Sequence, residues 1–125
     1  MAGDFLDAPN WRVLEERADF LRLEIPMPPN VLNPRGQLFG GFAPTYVDLI
    51  ALFTHRAGRR REGPWRWLTT VSMRVDYYEP VLGPTFLVES EVRHRRGRNC
   101  WVQTRFFDGH GKPLIDATTV LREVT

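Results

Sequence analysis

The sequence predicts an α+β domain in which one long helix lies on a face of an antiparallel sheet. Two observations carry this reading. Phe42 to Ala57 repeats its apolar residues with a helical period, while the segments before and after it alternate and are rich in β-branched and aromatic residues. At 125 residues, 42% of them apolar, the chain is long enough for one domain with its own core and too short for two, so residues 1–125 are read as a single unit.

The elements follow in chain order. Asn10 to Ala18 ("NWRVLEERA") has an N-cap residue followed by helix formers and predicts a short helix within the N-terminal segment 1–19. In "FLRLEIPM", Leu21, Leu23 and Ile25 alternate with Arg22 and Glu24, which is a strand with one wet face. "PPNVLNPRG" is a connection rich in turn residues. Phe42, Tyr46, Leu49, Ile50, Phe53 and Ala57 then form one helical stripe, with Pro44 in the first turn, where a missing N–H costs nothing. The other stripe, Asp48, Ala51, Leu52 and His55, is also largely apolar. A helix apolar on two sides packs on two sides: one partner is the chain's own sheet, and the expected other is a second copy of the chain. Four strand patterns follow: "WLTTVSMRVDYY", "TFLVESEVRH", "NCWVQTRFF" and "PLIDATTVLREV". The connectors "EPVLGP", "RRGR" and "DGHGK" read as hairpins, giving an expected four-strand meander.

Composition narrows the function classes. No apolar run approaches the roughly 18 residues of a membrane span, and the acidic start "MAGDFLDAPN" is unlike a signal peptide. A cytoplasmic location is expected. Cys100 is alone, which excludes an intrachain disulfide, and it reads as a buried thiol in its strand. His55, His94 and His110 are scattered, without the spacing of a structural zinc site. Trp65, Trp67 and Trp101 read as core residues. Lys112 is the sole lysine among 17 basic residues, and arginine gathers in "HRAGRRREG" and "RHRRGRN". These clusters are either solvated surface or phosphate-binding sites, since planar guanidinium groups suit bidentate phosphate contacts. Nucleic-acid binding would need a groove-reading element or an aromatic platform, and neither motif is present.

The stretch "NPRGQLFGGFAPTYVDLI" combines two features that belong to chemistry. Gly40 and Gly41 stand at a helix start, where N–H groups lack internal partners and no Cβ blocks the approach of a carbonyl. Asp48, about two turns on, is a carboxylate in a segment meant for burial, suited to act as general base or nucleophile. Glycine pairs before helices also serve structure alone, and a lone Asp also serves as a hydrogen-bond partner for a neighbouring chain.

The spacing of Asn33, Gly36, Gly40, Gly41 and Asp48, with "TTVSMRVDYYEPVLGPTFLVESEVRHRRGR" after it, closely resembles hotdog-fold acyl-CoA thioesterases of the phenylacetic-acid-degradation type. The likeness spans about Leu21 to Val124. It implies a hotdog fold, with an antiparallel sheet of about five strands wrapped around a central helix, and hydrolysis of an acyl-CoA thioester. It implies a homo-oligomer, dimer or dimer of dimers, with the site at the dimer interface. No cofactor or metal is implied beyond the coenzyme A moiety of the substrate, and neither membrane nor nucleic acid is expected as a partner. The resemblance assigns Gly40 N–H to polarising the thioester carbonyl and Asn33 to holding water or carbonyl. Asp48, from the other subunit, is the base or nucleophile, and Thr70 steadies it. Arg95, Arg96 and Arg98 are the implied contacts to coenzyme A phosphate, with Arg59 to Arg61 as a second possibility. Phe39 stands where the family has His. It either lines the acyl pocket beside Gly41 or marks a non-catalytic acyl-CoA binder. His55 is read as a substitute for that His or as a polar residue favoured at a helix C-terminus.

Overall fold

The computed structural model describes residues 2–58 and 67–124. Its elements are a short helix α1 (Ala2–Phe5), strands β1 (Arg12–Arg17) and β2 (Phe20–Pro26), the long helix α2 (Ala43–Arg56), and strands β3 (Trp67–Tyr77), β4 (Thr85–Arg96), β5 (Asn99–Phe107) and β6 (Pro113–Val124). The described strands form one antiparallel sheet in the order β1-β2-β4-β5-β6-β3. Helix α2 lies on one face of it, and this is the hotdog fold that the resemblance implies.

Three expectations are corrected. The helix expected over Asn10–Ala18 is instead a 3-10 turn (Ala8–Asn10) followed by β1, so the sheet has six strands rather than about five. The helix formers of "RVLEER" yield to pairing with the open edge of β2, because tertiary hydrogen bonds outweigh a weak intrinsic propensity. Asp19, at φ 65°, closes the hairpin in the left-handed region that Asp tolerates better than most residues. The four-strand meander holds only for β4-β5-β6, since β3 pairs with β6 at the sheet edge and not with β4. The segment "EPVLGP" is a crossing rather than a hairpin. Val81 is buried and its carbonyl accepts the Leu38 N–H at 2.8 Å, which binds the segment to the loop before α2. Trp67 is the third correction: on the edge strand it is 80% exposed, while among the described tryptophans Trp11 is buried in the core and Trp101 is half-buried.

Helix α2 buries Tyr46, Val47 and Ile50 against Phe86, Val88 and Phe106 of the sheet. Each such side chain contributes about 1.5–3 kcal/mol by leaving water. The second stripe is divided. Ala51 is buried in a smaller cluster with Cys100, Val102 and Leu121, whereas Asp48 stays exposed. The chain leaves the helix through Gly58, two residues past its end, whose φ is +67° and where a Cβ would lie 2.4 Å from Ala18 N. Only glycine fits there, and its N–H donates to Glu16 Oε2 at 3.0 Å, seating the helix end on the β1–β2 hairpin.

Candidate active site

Two half-sites stand at different points along α2. The first is the corner before the helix. Asn33 builds it: its Oδ1 accepts N–H from Arg35 (2.9 Å) and Gln37 (3.0 Å), and its Nδ2 donates to Gln37 Oε1 (3.3 Å). Gly36, at φ +74°, donates to the Asn33 carbonyl at 2.9 Å and closes the turn. The chain then runs through Phe39, whose N–H donates to the Val31 carbonyl at 2.9 Å, into a 3-10 turn, Gly40–Phe42. The first N–H groups of such a turn have no partner within it. A Cβ on Gly40 would meet nothing within 4 Å, so the room beside it opens outward. At Gly41 a Cβ would press on the Phe39 ring at 3.0 Å. Phe39 itself is 52% exposed and tilts against Phe42 at 5.4 Å, which in turn meets Phe5 at 5.2 Å.

The second half-site is the acid. Thr70 Oγ1, on β3, donates a hydrogen bond to Asp48 Oδ1. The pair opens on a cleft of about 150 Å³ walled by Leu49 and Leu52 of α2 and by Leu68 and Leu121 of the sheet. Thr70 reaches this face through a β-bulge. Thr70 pairs with Leu121 and Ser72 with Val120, leaving Val71 as the extra residue.

Asp48 follows Gly40 by eight positions, about 12 Å along a helix axis at 1.5 Å per residue. Within one chain the acid and the corner therefore do not meet on one carbonyl.

The remaining candidates fall in several places. Arg95 donates to Asp19 Oδ1 at 2.8 Å and stands 3.0 Å from His55 Nδ1, so its guanidinium is engaged within the chain. His55 lies in the last turn of α2 beside that arginine. Arg96 and Arg98 are exposed at the β4–β5 hairpin. Arg59, Arg60, Arg61 and Trp65 lie outside the described residues. Among the described residues no group of three or more His, Cys, Asp or Glu is placed to hold a metal ion, and no helix is long and apolar enough to cross a membrane.

One site residue escaped the sequence reading. Tyr77, at the end of β3, donates through its hydroxyl to the Gly40 carbonyl at 2.7 Å, and desolvation raises its phenol above the ordinary value.

The fold is that of thioesterase-like proteins. The sequence profile of the thioesterase superfamily matches residues 35–115, well over half of the chain, and the chain belongs to that superfamily. No curated protein sequence matches it. Similar solved structures include a hypothetical thioesterase protein from Streptococcus pneumoniae TIGR4 with coenzyme A, 16% identical with a TM-score of 0.75, covering 93% of this chain and 87% of that one. A Streptococcus mutans UA159 protein bound to acetyl CoA is 16% identical with a TM-score of 0.74, covering 92% and 89%. A phenylacetic acid degradation-related protein from Ralstonia eutropha JMP134 is 18% identical with a TM-score of 0.78, covering 98% and 88%. At these identities the likeness is one of fold.

Proposed function

We propose that the protein hydrolyses an acyl-CoA thioester to the free acid and coenzyme A. The observation that carries this reading is the Asp48–Thr70 hydrogen bond, which holds a carboxylate at the mouth of a leucine-walled cleft. An exposed acid among leucines has little structural use, whereas an oriented carboxylate beside an apolar slot suits attack on an acyl group.

The reaction needs two copies of the chain, because Gly40 and Asp48 of one copy are about 12 Å apart along the helix. The β3 edge supports pairing with a second copy. It is eleven residues long and presents Trp67 and Val71 to solvent, and a long exposed edge strand with unpaired N–H and C=O groups is a template for another strand. In the proposed site, Gly40 N–H of one protomer polarises the thioester carbonyl. Asp48 of the other takes a proton from water, whose oxygen bonds to the carbonyl carbon, or itself attacks that carbon to form a mixed anhydride, which water then cleaves to the free acid and the regenerated carboxylate. The C–S bond breaks, and coenzyme A leaves as a thiolate; its conjugate thiol is comparable in acidity to free Cys, with a pKa of roughly 8.5, so no general acid is required. Phe39 in place of a family His is compatible with this chemistry for the same reason, and its half-exposed ring lies beside the corner where the acyl thioester would enter. Asn33 acts here by shaping the loop, since its side-chain oxygen already accepts two backbone N–H groups. Arg96 and Arg98 supply positive charge for the phosphates of coenzyme A.

The test is thiol release from a panel of acyl-CoAs by wild type and Asp48→Ala. A loss of about 100-fold or more in kcat for the variant supports the reading. Equal turnover by both removes Asp48 from the mechanism. Binding of acyl-CoA without thiol release by either protein identifies a non-catalytic acyl-CoA binder.

A further inference from the structure

Gly40 is held from both sides, and only one of the two holds belongs to its own loop. The Phe42 N–H donates to the Phe39 carbonyl at 2.9 Å and so fixes the peptide that ends in Gly40 N–H. The next peptide, between Gly40 and Gly41, is held by the Tyr77 hydroxyl from β3 at 2.7 Å. Glycine is the residue with the greatest backbone freedom to lose, so a donor built from two glycines needs such clamps. In a helical register the Gly40 carbonyl would receive the N–H of residue 44, but that residue is Pro44 and has none. Tyr77 supplies the donor from another element.

We propose that Tyr77 is a positioning residue for the carbonyl-polarising corner: by clamping the Gly40–Gly41 peptide it fixes Gly41 N–H directly and keeps the backbone that follows Gly40 N–H from turning before substrate arrives. The inference rests on the thioesterase reading above. A hydrogen bond to the Gly40 carbonyl also draws electron density from the amide of the same peptide, which strengthens Gly41 N–H as a donor. Both effects act mostly as negative charge develops on the thioester oxygen and little on the neutral carbonyl, so they belong to kcat rather than KM. Strand β3 thus serves both half-sites of its protomer: Thr70 orients the acid and Tyr77 sets the donor.

Tyr77→Phe removes the hydroxyl and keeps the ring. Its kcat and KM for thiol release are measured beside thermal unfolding and the Gly41 amide resonance of the ligand-free protein. The expected result is a fall of about 10-fold in kcat with KM within about 2-fold, a nearly unchanged melting temperature, and an upfield shift of the Gly41 amide proton. An unchanged kcat in the variant of an active enzyme overturns the proposal, as does a loss confined to KM or to stability. Should the wild type release no thiol from any acyl-CoA, the thioesterase reading falls by itself. The clamp is then judged on the Gly41 resonance alone, and an unmoved resonance overturns it too.

Discussion

Thr70 and Tyr77 face the same side of β3 although an odd number of positions separates them. Thr70 bonds to Asp48 and Tyr77 to the Gly40 carbonyl, both on the helix side of the sheet. A regular strand places residues of opposite parity on opposite faces. The bulge at Val71 absorbs the extra residue, so Thr70 and Tyr77 pair with Leu121 and Ile115, which are both buried on the inner face.

This relationship predicts an asymmetry between deletion and insertion. Removing Val71, which is 52% exposed, leaves a regular strand with both contacts on the inner face. The variant should fold with a loss of about 1 kcal/mol and keep thiol release within about 10-fold of wild type. Inserting one alanine after Ser72 should turn Tyr77 outward and lower kcat by more than the deletion does. Denaturation midpoints and kcat of the two variants check this, and equal tolerance of both contradicts it.

Tyr46 predicts a pH dependence of stability. Its ring is fully buried and its hydroxyl has no hydrogen-bond partner among the described residues. Burial, with a smaller effect of the Asp7 charge, pushes its phenol up to about 12 from the ordinary 10.0. Below the ordinary value both folded and unfolded chains keep the proton, and stability is unaffected. Between the two values the unfolded chain loses it while the folded chain holds it, so stability falls as pH rises through this window. At about 1.4 kcal/mol per pH unit, the loss reaches roughly 3 kcal/mol. Tyr46→Phe should be neutral or stabilising by up to about 1 kcal/mol at neutral pH and should flatten this alkaline slope. Urea denaturation across the window reads both.

The arginines of the β4–β5 hairpin should divide by role. Arg95 is tied to Asp19, so Arg95→Ala should lower stability by about 1 kcal/mol and leave KM nearly unchanged. The double variant Arg96→Glu with Arg98→Glu should raise KM for acyl-CoA by about 3–10-fold, an effect that shrinks as salt is added. A salt-independent rise, or none, removes these two residues from phosphate binding.

The legible parts of the molecule are those set by local pattern. The stripe from Phe42 to Ala57 and Pro44 in its first turn locate α2 to within a residue at each end. The glycine corner and Asp48 are legible as candidates because they lie in one stretch of chain, at the spacing the resemblance supplies. What sequence reading missed depends on contacts far apart in the chain. The place of β3 beside β6 is decided by where the "EPVLGP" crossing docks on Leu38 and Gln37, and no residue type announces that. β1 reads as helix in the sequence because helix formers follow an N-cap residue, and a strand exposed throughout has no burial period to set against them. Tyr77 is not legible in the sequence, because a bulge inverts the parity on which a face assignment rests. Asn33 is legible as a residue of the corner, and the structure adds that its side-chain oxygen accepts two N–H groups of the loop.

The central claim is that each active site joins Asp48 of one protomer to Gly40 of another, and subunit complementation tests it most directly. Asp48→Ala and Gly40→Val are each expected to be nearly inactive, and the added side chain at Gly40 meets nothing in its own chain that would prevent folding. When the two variants are unfolded together and refolded, mixed dimers carry one intact site in two. Thiol release should then return to about a quarter of wild type, since about half of the dimers are mixed. Mixed dimers that form and yet release no thiol would contradict a site shared between protomers.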